Sequence, residues 1–61
     1  MEEKIYYIEN TDELNDAMER IENDFPCFTE RKFIEMDYSK ITIKARTEDI
    51  KHIEDILVPL V

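Results

Sequence analysis

The side chains best suited to chemistry in this sequence are one cysteine, Cys27, one histidine, His52, and many carboxylates. A nucleophilic cysteine needs a neighbouring base, and nothing in the sequence brings Cys27, which follows Pro26, to His52. Glu48, His52 and Asp55 are spaced to share one face of a helix. That face lies opposite the apolar positions and is open to water, so an ordinary solvated surface is favoured over a metal site. The sequence therefore predicts a protein that is not an enzyme, with no catalytic residues, metal site or cofactor.

The chain contains no glycine. Phosphate-binding loops, dinucleotide-binding fingerprints and EF-hand loops all need glycine where the backbone takes a positive φ or closely approaches a ligand. The composition therefore excludes these three kinds of site.

Length and charge limit the chain to a few classes of protein. Its 61 residues form a single small domain, 1–61, and carry 16 acidic against 8 basic residues, for a net charge of −8. A domain of this size has a thin stability margin, and one cysteine cannot form an intrachain disulfide, so a homodimer or a bound partner is expected. The charge argues against direct binding to nucleic acid or to an anionic membrane, and it suits a protein partner with a basic surface.

Targeting signals are absent from the sequence. No apolar run approaches the roughly 20 residues that a membrane-spanning helix needs, and the first residues do not resemble a signal peptide. A lone free thiol suits a reducing compartment. These features predict a cytoplasmic location.

Acidic residues are concentrated between positions 12 and 24, where Arg20 is the single basic residue. Three of the acids recur at i, i+4 and i+7, which places neighbours roughly 5–6 Å apart on one helix face, close to the interval between phosphates along a nucleic-acid strand. The later acids lie where the helix dipole disfavours negative charge. We therefore predict an acidic partner-binding face, with a simple solvated face as the alternative. Its residues are Asp12, Glu13, Asp16, Glu19 and Glu22.

Two similar strand–helix units, offset by 36 residues, position these side chains. Thr11 and Thr47 each follow an apolar strand-like run and precede two acids, which is typical of a helix N-cap. Apolar residues at helical spacing follow each cap, and Pro26 and Pro59 end the helices. The predicted elements, in order, are a strand over 4–8, a helix over 12–24, strands over 28–37 and 40–45, and a helix capped by Thr47.

The order βαββα predicts an α+β fold that resembles the ferredoxin-like arrangement without its last strand. The expected sheet has three strands in the order 1-3-2, with both helices packed on one face and the first and third strands parallel. The first strand is then an open edge, which is a template for pairing with another chain.

The facing of the strands follows from the same 36-residue offset. Ile5 and Tyr7 correspond to Ile41 and Ile43 and are expected to point towards the helices. Pairing Met36 with Ile41 would place Arg31 and Phe33 on the opposite face, beside Lys44 and Arg46. The sequence thus predicts an exposed apolar patch suited to an interface, formed by Tyr6, Ile8 and Phe33.

These observations favour a small, acidic, non-enzymatic protein that binds and inhibits or modulates a larger protein. The hypothesis extends to a nucleic-acid mimic encoded by a phage or mobile element. The alternative is a homodimeric regulatory or small-ligand-binding module that buries the predicted patch. The sequence leaves open whether the apolar segment 57–61 is core or contact.

Overall fold

The computed structural model describes residues 1–61 and contains six elements. They are β1 (Glu2–Glu9), α1 (Asp12–Asp24), β2 (Cys27–Phe33), β3 (Tyr38–Ala45), α2 (Thr47–Leu57) and a short 3₁₀ helix (Val58–Leu60). The three strands form one sheet in the order β1-β3-β2. The predicted α+β fold is confirmed in its element order βαββα, in its strand order 1-3-2 and in the packing of both helices on one face of the sheet.

The start of α1 follows directly from local sequence. The hydroxyl of Thr11 accepts a hydrogen bond from the backbone N–H of Leu14 at 3.2 Å, as an N-cap should. The corresponding prediction for α2 is wrong, because Thr47 is the first helical residue and the cap is Arg46. Arg46 makes no capping bond with its side chain, and its Nε instead donates to Asp49 at 2.8 Å.

The central strand, β3, pairs with both of its neighbours in antiparallel orientation. The expected parallel pairing of the first and third strands is therefore wrong. Since β1 and β2 each oppose β3, they run parallel to one another, and α1 connects them across the sheet. Both β1 and β2 are edge strands, as the order requires.

The register between β2 and β3 also differs from the prediction. Ile41 lies opposite Arg31 rather than Met36, a shift of five residues, and β2 ends at Phe33. Ile34 and Met36 lie in the loop before β3, where Met36 is 94% exposed. An odd shift exchanges the two faces of a strand, so β2 presents the opposite set of side chains to the helices.

The facing of β1 is likewise reversed. Tyr6 pairs with Ile41 on the helix side, and Ile8 is only 1% exposed, whereas Ile5 and Tyr7 point away from the helices. The predicted repeat fails by one residue, because the two helices begin at positions 12 and 47, which are 35 apart. A slip of one residue is enough to turn a strand over.

The core lies between the sheet and the two helices. The apolar stripes predicted for the helices are both buried, and Leu60 packs partly against the core while Val58 and Val61 stay exposed. Two polar residues, Ser39 and Asp49, are also buried. The 11 buried apolar residues are Ile8, Leu14, Ala17, Met18, Ile21, Ile41, Ile43, Ala45, Ile50, Ile53 and Leu57.

Candidate functional site

The first candidate surface is a row of carboxylates on α1, formed by Asp12, Asp16 and Glu19, which we call the acidic crest. All three side chains are exposed. With about 100° per residue, they lie on the side of α1 opposite its buried stripe and so point away from the sheet. The ion pairs of the structure involve none of the three. Their charges are thus not neutralised by ion pairs within the chain.

The remaining acids of α1 flank the crest, and two of them have partners. Glu22 accepts a hydrogen bond from the hydroxyl of Thr29 on β2 at 2.6 Å, and Asp24 lies 3.7 Å from Arg20. Glu13 is exposed on the side of α1 that faces α2. All five acids of the predicted face are therefore exposed on α1, but Glu22 is turned towards the sheet.

The predicted patch of Tyr6, Ile8 and Phe33 does not exist as one outward surface. Ile8 lies in the core and Tyr6 is half-buried against it, because β1 is turned over relative to the prediction. Phe33 is 67% exposed, but it lies on the helix side of the sheet, where the ring contacts the Arg31 guanidinium at 5.0 Å from its centroid. The predicted outward orientation of Tyr6, Ile8 and Phe33 is therefore wrong.

A different apolar surface covers the side of the sheet that carries no helix. Ile5, Tyr7, Phe28 and Tyr38 are 46%, 56%, 58% and 44% exposed. Alternation along the paired strands places all four on this side. We call it the uncovered sheet face. Its other side chains are Glu3, Glu9, Glu30, Lys32, Lys40, Thr42 and Lys44.

Lys44 occupies one end of the uncovered sheet face. Its ammonium lies 4.0 Å from the Glu3 carboxylate and 5.9 Å from the centroid of the Phe28 ring. The face therefore combines aromatic rings with charges of both signs. The sequence contained a signal for this apolar surface, since Tyr7 and Phe28 are large apolar residues at strand positions. The side of the sheet on which they lie depended on the strand register.

Arg31 holds together the junction between the sheet and the start of α1. Its guanidinium donates to Ser39 at 3.4 Å, to Asn15 at 2.7 Å and to Asn10 at 3.0 Å. Ser39 also donates a short hydrogen bond to Asn10. All acceptors are neutral, so Arg31 crosslinks β2, β3 and α1 without a carboxylate. The sequence did not predict this role, because Asn10, Asn15, Arg31 and Ser39 come together only in the folded chain.

Cys27 and His52 each contact a neighbouring residue of the fold. Cys27 donates to the carbonyl of Ile21 at 3.8 Å, and burial, then the charge of Glu22, raises the pKa of its thiol. A raised pKa favours the unreactive thiol over the thiolate. The ring of His52 stacks on Phe25 with centroids 6.1 Å apart. No group of three His, Cys, Asp or Glu side chains is arranged to hold a metal ion.

Tyr6 contributes a polar atom to the interior. Its hydroxyl is buried, and the Glu54 carboxylate beside it lies outside ordinary hydrogen-bond geometry. Burial raises the pKa of this hydroxyl, and repulsion from the Glu54 carboxylate raises it further. The hydroxyl is therefore held in its neutral form.

No protein-family model, curated protein or solved structure matches the chain. Neither helix has the length and apolar character needed to cross a membrane. The fold is a small α+β sheet layer covered by two helices on one side, and its two distinctive surfaces are the acidic crest and the uncovered sheet face.

Proposed function

We propose that this chain is a small non-enzymatic binding protein whose acidic crest docks on a basic surface of a larger protein and blocks or modulates it. The observation that carries the proposal is the row of three exposed, unpaired carboxylates on α1. Such a row is a regular negative surface, and it resembles the phosphates of a nucleic-acid strand in sign and approximate interval. The proposal therefore includes mimicry of nucleic acid at the partner's binding cleft.

Energetics support a functional origin for the crest. Like charges at i, i+3 and i, i+4 destabilise a helix by a few tenths of a kcal/mol per pair, and α1 has no basic residue in its last turn. A helix selected for stability alone would alternate its charges. The arrangement is the one expected where a basic partner supplies the missing positive charge.

The test is affinity capture with the chain as bait, at low and high salt, combined with a charge-reversal variant. Asp12→Lys, Asp16→Lys and Glu19→Lys together should abolish capture of a partner that the wild-type chain releases as salt rises. The matched control reverses Glu35, Asp37 and Asp55, which are exposed and lie outside α1. Either triple variant raises the net charge by six, from −8 to −2.

Circular dichroism should show the same helix content in both variants and in the wild-type chain. Loss of capture in the crest variant alone would support the proposal. Equal capture by the crest variant and the wild type would refute docking through the crest, and equal loss in both variants would assign binding to net charge rather than to this surface.

A second candidate function is a homodimeric regulatory or small-ligand-binding module. The uncovered sheet face favours it, because four large apolar side chains lie there without a covering layer. A measurement of the molar mass in solution distinguishes the homodimer from a monomer, since a dimer has twice the 7.4 kDa of the chain.

A further inference from the structure

The uncovered sheet face differs in charge from the rest of the molecule. It carries three lysines and three glutamates, so its formal charge is zero and the whole charge of −8 lies elsewhere. A neutral face gives no electrostatic attraction to nucleic acid or to a basic protein. It is the side from which a second copy of this acidic chain meets the least repulsion.

Three charged side chains of the uncovered sheet face have no ion-pair partner within one chain. Lys32 lies directly opposite Lys40 on the paired strand, and like charges in that position are unfavourable. Glu30 lies opposite Thr42, and none of Lys32, Lys40 and Glu30 takes part in an ion pair. A second copy can supply the missing opposite charges.

We propose that two copies of the chain pack their uncovered sheet faces together. They are related by a two-fold axis that lies between the two sheets and runs perpendicular to their strands. This rotation reverses the order of residues along each strand but keeps β1 over β1 and β2 over β2. Glu30 of one copy then lies over Lys32 of the other, and Ile5 lies over Tyr7. Two-fold symmetry makes each of these contacts twice.

The same superposition arranges the ends of the face. Lys44 of one copy lies over the Tyr38 ring of the other, a favourable cation–π arrangement. Glu3 approaches Glu9 at the outer corner, where both carboxylates stay in water and Glu3 keeps its ion pair with Lys44. The result is a sandwich of two three-stranded sheets, with its helices outside.

This geometry rests on the second candidate function, and it also bears on the first. Both acidic crests would face outward on opposite sides of the dimer. The assembly would therefore be bivalent and could engage two basic surfaces at once.

Sedimentation equilibrium of the whole chain, from micromolar to millimolar concentration, tests the proposal with three variants. Lys32→Glu should raise the dimer dissociation constant about 100-fold, since it places Glu over Glu twice and each contact is worth about tenfold. Lys32→Glu also relieves the unfavourable pairing with Lys40, so loss of the dimer would not reflect unfolding. Glu30→Lys combined with Lys32→Glu should restore dimerisation to within about threefold of wild type, because the exchanged charges again face each other.

Lys51→Glu is the matched control, because it makes the same change in net charge at an exposed position on α2. It should leave the dissociation constant nearly unchanged. A dimer that is insensitive to Lys32→Glu, or a double variant that stays monomeric, would overturn the face-to-face geometry while leaving the dimer itself standing. A wild-type chain that is monomeric at millimolar concentration would overturn both the geometry and the homodimer.

Discussion

Replacing Glu19 by lysine should stabilise this protein. Glu19 lies at the C-terminal end of the acidic crest, with Asp16 three residues before it and Glu22 three residues after it. It takes part in no ion pair, so the substitution breaks no favourable charge contact. Glutamate, glutamine and lysine have similar helix propensities, so the change isolates the effect of charge.

The magnitude follows from the two neighbouring pairs. Each like-charge pair on an exposed helix costs about 0.2–0.5 kcal/mol, and each opposite-charge pair contributes about the same amount in the favourable direction. Converting two pairs therefore gives about 0.8–2 kcal/mol before screening, and about 1 kcal/mol is expected at low salt. For a domain of this size, 1 kcal/mol corresponds to an increase in Tm of about 4–8 °C.

Thermal and urea unfolding followed by circular dichroism would measure this gain. Glu19→Gln is the control and should give about half of it, because it removes the repulsion without adding attraction. In 1 M salt, where the Debye length is about 3 Å, most of the gain should disappear. A variant that is less stable than wild type, or a gain that is independent of salt, would refute the idea that the crest stores electrostatic repulsion.

Two further predictions concern the interior. Tyr6→Phe should leave the free energy of unfolding unchanged or raise it by up to about 1 kcal/mol, since the hydroxyl is buried without a partner. A loss of more than about 1 kcal/mol in urea unfolding would show instead that the hydroxyl is bonded to Glu54. Stability should also fall as the pH rises past 9.0 and then 10.0, the ordinary pKa values of the Cys27 and Tyr6 groups, because burial raises both and the unfolded state releases these protons first. Cys27→Ala should flatten the first part of this decline, and an unchanged profile would contradict the assigned burial effect.

The helices were predictable because their signals are local. The Thr11 cap, the acids of the first turn and Pro26 all act within one or two turns of α1, and the predicted bounds match the observed ones. The strand order followed from the βαββα sequence of elements. The helix signals depend on neighbours along the chain, whereas the pairing of β1 with β3 joins residues 29 to 43 positions apart.

The facing of the strands could not be predicted, because it depends on alternation that the sequence does not show. Between Ile5 and Ile8 every residue is apolar or aromatic, so either face of β1 is compatible with burial. For β2, the loop before β3 lacks a defining turn, and the apolar Ile34 and Met36 favoured a register that the structure does not adopt. Each of these shifts was by an odd number of residues and therefore exchanged the two faces of the strand. The predicted patch of Tyr6, Ile8 and Phe33 was wrong for this reason.

The Arg31 junction and the unpaired Tyr6 hydroxyl depend on contacts between distant residues. Arg31 donates to Asn10, which is 21 positions away in the sequence, and no local sequence pattern predicts a contact over that separation. The acidic crest is the opposite case, because three positions on one helix face determine it. This difference explains why the charged surface was anticipated and the apolar one was misplaced.

The position of β3 between two strands that never touch each other has a consequence for how the sheet is assembled. Both neighbours of β3 precede it in the chain, so a nascent chain that ends at Phe33 contains two strands and no sheet. The β2–β3 hairpin closes over as few as six positions, from Phe33 to Ser39, whereas β1 must find β3 across 29 to 43 positions. Loop-closure entropy therefore favours the hairpin first and β1 last. We expect the edge that forms last to be the first to open, so that β1 is the kinetic weak point of the fold.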